Sequence, residues 1–366
     1  MSLLHRLGLT FIKNIGPAFA KSMLFHFGDE EQVFKASKAK MTQIPGIGEK
    51  RYLDINFKTA LERAEEELDY IEKNNIKPIF YTDPEYPKRL KNCIDSPILL
   101  YGKGNFDLNR RHVISIVGTR RATEYGKQFC KELVEELQQY NVLIVSGLAL
   151  GIDTYAHKES LKQGVQTVGV LGHGFDRMYP VQNRSTAEKM QENGGVLTEY
   201  PSGTIPDREN FPQRNRIVAG MADATIVVEA GIKGGAFITA EIANSYNRDV
   251  FAFPGRIDDE FSEGCNFLIR HNKAGLLTCA ADLAYSLGWE KIDDGRPAVE
   301  QLSLPMDLSN EERIILDIIH QHKSPLAIDE LTLKAKMPMS QLAMNLLNME
   351  MQGFIRSLPG KTYCIN

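Results

Sequence analysis

Short apolar runs recur through the middle of the chain, from about residue 76 to residue 290. Runs that are apolar throughout, rather than at alternate positions, are typical of strands buried on both faces of a parallel sheet. Helix-length segments separate them, such as 124–140, where apolar residues recur at every fourth position. The six runs are Val113–Val117, Val142–Val145, Thr167–Leu171, Gly195–Thr198, Thr225–Val228 and Val250–Phe253. The pattern predicts a doubly wound α/β domain, and Ile79–Tyr81 and Ile98–Tyr101 predict an extra strand or two ahead of it.

Residues 1–66 are predicted to form short helices joined by two glycine turns, Asn14–Ala20 and Ile44–Lys50. The second turn is typical of a helix-hairpin-helix, in which converging backbone N–H groups bind one DNA phosphate. A plain helix–helix turn, with glycines for close approach, is the alternative. The first turn is a degenerate copy because Pro17 interrupts the motif.

The C-terminal part differs from the central part in its pattern of apolar residues and in the order of its predicted elements. Lys291–Asp307 contains Asp-Asp-Gly and two prolines without helical periodicity, which predicts a linker. Residues 308–366 then read as helix, helix, helix and two short strands, the order of a winged helix. The predicted helices are Asn310–Gln321, Ile328–Ala335 and Ser340–Gln352, and the strands flank Pro359–Gly360. Ser309, with Glu312 three residues later, predicts a capping box at the first helix.

Net charge limits the kind of nucleic-acid site that the chain can carry. The 366 residues include 43 Lys and Arg against 47 Asp and Glu, a formal charge of −4. Because cations supply most non-specific affinity for phosphates, a general duplex coat is excluded and any nucleic-acid site must be local. Residues 300–366 carry six basic against eight acidic residues, and segment 339–351 has no Lys or Arg. We therefore expect the winged helix to serve as a protein contact or autoregulatory module.

Cysteine spacing and hydropathy predict a cytoplasmic protein without a metal site. The five cysteines form no C-x-x-C pair, so neither a zinc ribbon nor a disulfide framework is supported. The longest apolar stretch, Val142–Ile152, has eleven residues, against the roughly 20 that a membrane helix needs.

Glycine turns follow most of the predicted strands. In a doubly wound sheet, ligands bind at the carboxyl ends of the strands, where such turns bring backbone N–H groups together. The turns are Gly118–Arg121, Ser146–Gly151, Gly172–Gly174 and Glu229–Gly235. They predict a phosphate-bearing ligand at one rim, but neither the P-loop nor the complete dinucleotide fingerprint is present. No nucleotide cofactor is therefore predicted.

Cations and a ring accompany these turns. From Arg110 to Glu132, six Lys and Arg residues against two Glu give a net charge of +4, and three arginines flank Phe211 in the segment Arg208–Arg216. Single-stranded nucleic acid is bound by such a mixture, since cations follow the phosphates and rings stack on bases. Solvated surface charges, with Phe211 as a hydrophobic staple of its helix, are the alternative.

Catalytic motifs are sparse. Asp153 and His157 lie four residues apart on one predicted helix, where a cap or dipole partner with a hydrogen-bonded His is the favoured interpretation because no nucleophile accompanies them. Glu229 and Glu241 are the better acid/base candidates, and no catalytic residue is assigned.

The ordered motifs resemble those of the DNA-processing protein A family (DprA, also called Smf). They read Val117–Arg120, Ser146–Ala149, Gly151–Asp153, Ala156–His157, Val170–Gly174, Tyr179–Pro180, Phe211–Arg216, Val228–Ala230, Gly234–Ala240 and Arg248–Gly255. The resemblance implies a Rossmann-like, doubly wound, mostly parallel sheet over 76–290. It also implies a flanking N-terminal helix-hairpin-helix or SAM-like domain over 1–66 and a C-terminal winged helix.

The resemblance further implies a non-enzymatic role. Homodimers of the family bind and protect single-stranded DNA and load the RecA recombinase on it during natural transformation. The late segment Phe251–Ile269 is expected to form the dimer contact. Gly235 stands where a serine is typical of the family, so position 235 offers no hydroxyl for a contact, and Lys233 adds a cation nearby. The DNA-binding residues implied are Gly118, Thr119, Arg120, Arg121, Ser146, Gly147, Arg208, Phe211, Arg214, Asn215, Lys233, Gly234 and Gly235.

Two other functions remain open at this point. The segment Gly234–Glu241 also resembles nucleotide-cleaving phosphoribohydrolases, in which Glu241 or Glu229 would assist bond cleavage while Arg120 and Arg214 hold the phosphate. A nucleotide-sensing winged-helix transcription regulator is disfavoured by the uncharged third helix.

Overall fold

The computed structural model describes residues 3–290, 309–322, 326–358 and 362–365. The chain divides into two compact units, residues 1–292 and 293–366. The predicted linker, 291–307, lies outside the described residues.

Six helices open the first unit. They are α1 (Leu3–Phe11), α2 (Pro17–Phe27), α3 (Glu30–Lys35), α4 (Lys38–Met41), α5 (Glu49–Leu53) and α6 (Phe57–Lys73). Their shared core includes Leu7, Met23 and Ala64, and it continues into Phe80 and Leu99 of the sheet. Because α6 extends to Lys73, the predicted domain boundary at residue 66 falls inside a helix.

The second glycine turn joins α4 to α5. Its Gly46 carbonyl accepts a hydrogen bond of 2.6 Å from Nη1 of Arg51. The same guanidinium lies 4.1 Å from the centre of the Phe19 ring. The turn is therefore held by a side chain of its own second helix, and a DNA contact at this turn stays a prediction.

A nine-stranded sheet forms the centre of the first unit. Its strands are β1 (Lys77–Phe80), β2 (Leu99–Asn105), β3 (His112–Val117), β4 (Val142–Ser146), β5 (Gln166–Leu171), β6 (Gly194–Thr198), β7 (Ala224–Val227), β8 (Asp249–Ala252) and β9 (Gly275–Leu276). Their order is β1-β2-β6-β5-β4-β3-β7-β8-β9. Strand β2 is antiparallel to both β1 and β6, and the remaining neighbours pair in parallel. All six predicted runs and both predicted extra strands belong to this sheet, with β1 at its edge and β2 inside it.

Helices cover both faces of the sheet. They are α7 (Lys88–Lys91), α8 (Glu124–Leu137), α9 (Ile152–Gln163), α10 (Arg184–Met190), α11 (Asn210–Met221), α12 (Gly235–Ser245), α13 (Glu263–Arg270) and α14 (Ala280–Leu287), with 3₁₀ turns at Gln138–Tyr140 and Val181–Asn183. Val113 and Val117 of β3 pack in one core with Ile217 of α11. Ile114 and Ile116 pack in the opposite core with Val134 of α8. This alternation along a fully buried strand confirms the predicted doubly wound fold.

Strand direction decides which residues share a rim of the sheet. The parallel strands β3 to β8 all end at one rim. Strand β1 is parallel to β6, because β2 is antiparallel to both, so β1 also ends there and β2 begins there. Tyr81 after β1 and Ser96 before β2 therefore lie along the same rim as the glycine turns.

The second unit is the predicted winged helix. It comprises α15 (Asn310–Gln321), β10 (Leu326–Ala327), α16 (Ile328–Ala335), α17 (Met339–Met351), β11 (Ile355–Leu358) and β12 (Thr362–Ile365), and its sheet has the order β10-β12-β11. The capping box of Ser309 and Glu312 is confirmed at the start of α15. Pro359 and Gly360, the predicted turn, lie outside the described residues. Within the described part of the chain, no helix is long and apolar enough to cross a membrane.

Candidate functional site

A cleft of about 1070 Å³ opens at the carboxyl ends of the central strands. Twelve of the thirteen predicted DNA-binding residues line it, drawn from four segments that are distant in sequence. These twelve are Gly118, Thr119, Arg120, Arg121, Gly147, Arg208, Phe211, Arg214, Asn215, Lys233, Gly234 and Gly235. The strand directions explain this convergence, because β3, β4 and β7 all end at this rim.

Ser146 is the predicted residue that does not line the cleft. Its side chain is buried, and its hydroxyl donates a 2.6 Å hydrogen bond to the carbonyl of Ile116 on the neighbouring strand. The hydroxyl thus fixes β4 against β3, and it is not open to a ligand.

Four exposed cations give the cleft its positive charge: Arg120, Arg121, Arg208 and Lys233. Within the described residues none of the four forms a salt bridge. Two exposed carboxylates, Glu260 and Glu263, lie on the wall that also contains Phe261. Unpaired cations at a cleft mouth attract an anionic ligand because no protein carboxylate neutralises them at contact distance.

Aromatic rings lie beside these cations. The rings of Phe211 and Tyr179 have their centres 5.8 Å apart, and the guanidinium of Arg120 lies 5.4 Å from the Phe211 ring. The guanidinium of Arg121 lies 5.3 Å from the ring of Phe261. Each arginine is therefore held near a ring by a cation–π contact. The sequence prediction of the site does not include Tyr179 or Phe261, although Tyr179 belongs to the motif Tyr179–Pro180, which is a signal for it.

Close packing of neighbouring atoms explains why glycine occupies two positions of the rim. Gly151 has a φ of +83°, and a Cβ there would lie 2.1 Å from the carbonyl oxygen of Thr119. A Cβ at Gly147 would lie 2.6 Å from both Nη2 of Arg214 and Oδ2 of Asp153. A side chain at Gly151 would push apart the turns that form the cleft, and a side chain at Gly147 would displace Arg214 and Asp153.

The start of α12 forms the floor of the cleft. Gly234 is its N-cap and makes no side-chain cap hydrogen bond. Asn215 donates from Nδ2 to the carbonyl of Gly235 at 3.4 Å, which ties α11 to this turn. The first backbone N–H groups of α12, which no side chain caps, add to the positive potential of the arginines and Lys233.

Arg214 differs from the other cleft arginines because it is only 3% exposed. Its Nη1 donates to the carbonyls of Gly147 and Val170. Burial lowers the pKa of Arg214 to about 10, against the attraction of Asp153. Burial likewise raises the pKa of Asp153, and Arg214 opposes that shift. Arg214 therefore holds the strand ends in place, whereas the sequence alone suggested an open phosphate contact.

Asp153 and His157 do not bond to each other. Oδ2 of Asp153 accepts from the backbone N–H of Ala149 at 3.3 Å, and Nδ1 of His157 lies 2.7 Å from Oγ1 of Thr167. Burial lowers the pKa of His157 to about 3, which keeps the imidazole neutral. Their contacts are structural, but the predicted hydrogen bond between them is wrong.

The two carboxylates favoured for acid/base work lie outside the cleft. Glu229 is buried and accepts hydrogen bonds from the backbone N–H and the hydroxyl of Thr123. Glu241, on α12, pairs with Lys273 at 2.9 Å and does not line the cleft. Neither position suits a group that must reach a ligand at the rim. Among the described residues, no group of three or more His, Cys, Asp or Glu side chains could hold a metal ion.

The positive segment 110–132 is divided by the structure. Arg110 and Arg111 precede β3 and so lie at the opposite rim, where Arg110 bonds to Oδ1 of Asn141. Lys127 pairs with Glu124 on α8. Of this segment's cations, only Arg120 and Arg121 line the cleft. Strand β3 separates them from Arg110 and Arg111, so the net charge counted along the sequence is not the charge of one surface.

The predicted dimer segment Phe251–Ile269 covers the end of β8, the following loop and most of α13. Its Ile257 is 97% exposed, and its Phe261 lines the cleft. Dimerisation through this segment stays a prediction.

Comparison with known proteins agrees with the sequence motifs. Residues 77–288 match the family model described as DNA recombination-mediator protein A, and residues 300–361 match the DprA winged helix domain. Protein Smf of Synechocystis sp. is 32% identical over 96% of each chain. DNA processing protein DprA of Streptococcus pneumoniae is 40% identical over 55% of this chain and 71% of its own length.

Two solved structures resemble the described fold. The X-ray structure of DprA from Streptococcus pneumoniae matches with a TM-score of 0.66 and 32% identity, over 79% of this chain and 99% of that one. The DprA structure from Helicobacter pylori matches with a TM-score of 0.54 and 29% identity, over 59% of this chain and 97% of that one. The latter structure is described as giving insight into a single-stranded DNA binding mode.

Proposed function

The chain belongs to the DNA recombination-mediator protein A family, and on this premise we propose that it binds single-stranded DNA in the cleft at the carboxyl rim of its sheet. The observation that carries the proposal is the set of four exposed, unpaired cations beside the Phe211 and Tyr179 rings. Cations follow the phosphates of a single strand, and rings stack on its bases without strong sequence preference.

The full proposal includes what the bound strand is for. The protein protects the strand and loads a RecA-type recombinase on it in the cytoplasm, as a homodimer and without catalysing a reaction. The support for this part is the resemblance to the DprA family and, for strand binding, the described mode of the Helicobacter pylori relative. The placement of Glu229 and Glu241 outside the cleft supports the non-catalytic part.

Roles within the cleft follow from exposure and contacts. Arg120, Arg121, Arg208 and Lys233 contact phosphates, since their charged groups are exposed. Phe211 stacks on a base, and the Gly118–Thr119 and Gly234–Gly235 turns offer backbone N–H groups. Arg214 and Gly147 keep these groups in place, and Ser146 acts only through the strand that it fixes.

One titration tests the proposal. Oligo-dT and mononucleotides are titrated into the protein at two salt concentrations, and the nucleotides are then analysed for cleavage products. We expect oligomer binding that weakens steeply with salt, much weaker mononucleotide binding and no products. Nucleotide turnover without salt-sensitive oligomer binding would establish the phosphoribohydrolase alternative and overturn the proposal.

A further inference from the structure

The rim that holds the cleft continues past it towards β1. Beyond β5 the strand order is β6, β2, β1. Neighbouring strands lie about 4.8 Å apart, so β1 ends roughly 14 Å from the end of β5 along the rim. A single strand that leaves the cleft on this side would pass Ser96, at the start of β2, and then Tyr81, at the end of β1.

Two lysines from different helices meet at Tyr81. Nζ of Lys21, on α2, lies 4.7 Å from the centre of the Tyr81 ring, and Nζ of Lys91, on α7, lies 4.9 Å from it. Lys91 is exposed and Lys21 is half-buried. Within the described residues neither lysine forms a salt bridge. The ring thus keeps two ammonium groups at the rim, each within 5 Å of its centre.

The local contacts leave positive charge uncompensated at this position. Nζ of Lys21 donates to Oγ of Ser96 at 2.6 Å, which is a neutral partner. The nearby carboxylate of Asp95 accepts from the hydroxyl of Tyr246. Burial and the charge of Arg216 lower the pKa of Lys21 to about 8, against the attraction of Asp95 and Cys93. An anion beside Lys21 and Lys91 would meet two ammonium groups that form no salt bridge with the described residues, and it would offset the charge of Arg216 that acts on Lys21.

Hydrogen bonds connect the surroundings of Tyr81 to helix α11 of the cleft. Arg216 belongs to α11, the helix that carries Phe211, and its Nη1 donates to the carbonyl of Asp95 at 2.6 Å. Its Nη2 also pairs with Glu199 after β6. Because Asp95 is next to Ser96, the segment that receives Lys21 is held to α11.

We propose that Lys21 and Lys91, positioned by Tyr81, form a second backbone-phosphate contact for the strand that the cleft binds. The inference rests on the proposed function, since it extends the same single strand along the rim. Lys91 and Lys21 contact phosphate, and Tyr81 acts as a positioning residue that keeps both ammonium groups at the rim.

Binding of short and long oligomers distinguishes this second contact from the contacts in the cleft. Oligo-dT of about 4 and about 12 nucleotides, within the usual range of single-strand site sizes, is titrated into full-length wild type and Lys91→Glu. We expect the variant to bind the longer oligomer about tenfold more weakly, with a salt slope reduced by about 0.7, the value for one lost phosphate contact. The shorter oligomer, held in the cleft, keeps its affinity.

Lys189→Glu is the matched control. Lys189 is exposed near the end of α10, just before β6 begins, so it lies at the opposite rim. The substitution changes the net charge of the chain by the same amount and is expected to leave both oligomers unaffected. Lys91→Gln, which removes charge without reversing it, repeats the test in case Lys91→Glu fails to fold.

A conservative pair tests the positioning role of Tyr81. Tyr81→Phe keeps the ring face and is expected to bind the longer oligomer as wild type does. Tyr81→Leu removes the ring and is expected to lose binding of the longer oligomer only, with the salt slope of the lysine variant. Loss of affinity for both oligomers by Tyr81→Leu would indicate a purely structural ring and would contradict the role.

The outcomes distinguish the two proposals. If wild type binds neither oligomer in a salt-dependent way, the proposed function fails. If wild type binds both, but the Lys91 variants bind the longer oligomer as well as Lys189→Glu does, the second contact is overturned and the cleft stands.

Discussion

The rim cleft of the sheet and the third helix of the winged-helix unit differ in surface chemistry. The cleft combines four exposed cations with the rings of Phe211 and Tyr179. Helix α17 has no Lys or Arg and instead exposes Met344, Leu347 and Met351, at 66%, 57% and 80%. Winged helices often read duplex DNA through this helix, yet here the chemistry that suits a polyanion is in the other unit. The difference teaches that fold type alone does not predict where a polyanion would bind, since charge and exposure of the surface must also suit it.

The largest expected effect concerns Arg214, which supports the cleft from inside. Arg214→Met leaves Asp153 and two strand-end carbonyls without their buried cation, so we expect a loss of about 3–5 kcal/mol in the free energy of unfolding. Urea unfolding of the first unit, followed by the fluorescence of Trp289, measures it. Arg208→Met, at an exposed arginine of the same cleft, is the control and is expected to unfold as wild type does. Equal midpoints for the two variants would show that Arg214 is not part of the framework.

Phe211→Ala removes the proposed stacking ring. We expect single-strand affinity to fall by about 1–3 kcal/mol with an unchanged salt slope, because no phosphate contact is lost. Titration of oligo-dT at several salt concentrations measures both quantities. Phe211→Trp, which keeps an aromatic face, should retain most of the affinity, and an equal loss in both variants would contradict stacking.

Arg120→Ala tests whether a cation and a ring of the cleft contribute differently to binding. One lost phosphate contact is expected to reduce the salt slope by about 0.7 and to weaken binding most at low salt. Arg111→Ala, at the opposite rim, is the matched control and should leave the slope unchanged. Equal salt slopes for Arg120→Ala and Phe211→Ala would mean that the two roles have been assigned wrongly.

The smallest expected effect is on α17. Leu347→Glu places a carboxylate on its exposed apolar face, and we expect oligo-dT affinity of the full chain to stay within about twofold of wild type because no phosphate contact lies there. Duplex DNA should bind weakly to both proteins. A tenfold loss of single-strand binding, or tight duplex binding by wild type, would remove the contrast between the two units.

The apolar runs made most of the sheet predictable. Strands such as β3 and β4 are buried on both faces, so their sequences are apolar without interruption, and the glycine turns that follow them identified the rim. Edge strands carry a weaker signal, and only pairing data show that β1 ends at the same rim as β5. The two-residue strand β9 has no sequence signal of its own.

The sequence predicts which residues line the cleft, but it does not predict how exposed each of them is. Twelve of the thirteen residues implied by the motifs meet in one cleft. Sequence alone does not reveal that Arg214 is buried while Arg120 is exposed, because both are arginines in polar segments. Nor does it show that Arg110 lies a full strand away from Arg120, since β3 separates them. The sequence gives no signal for a site at Tyr81, because its two lysine neighbours are residues 21 and 91, which are far apart in the chain.

The pairing of β2 with β6 has a consequence for synthesis on the ribosome. Gly102 of β2 pairs with Leu197 of β6, which emerges roughly 95 residues later. At about 5–20 residues per second, the inner edge of β2 waits roughly 5–20 s for its partner. Leu99 and Tyr101 of β2 pack in the core of the N-terminal helices. These helices precede β2 in the chain, so they can cover this face of β2 before β6 is synthesised and thereby lower the risk of aggregation.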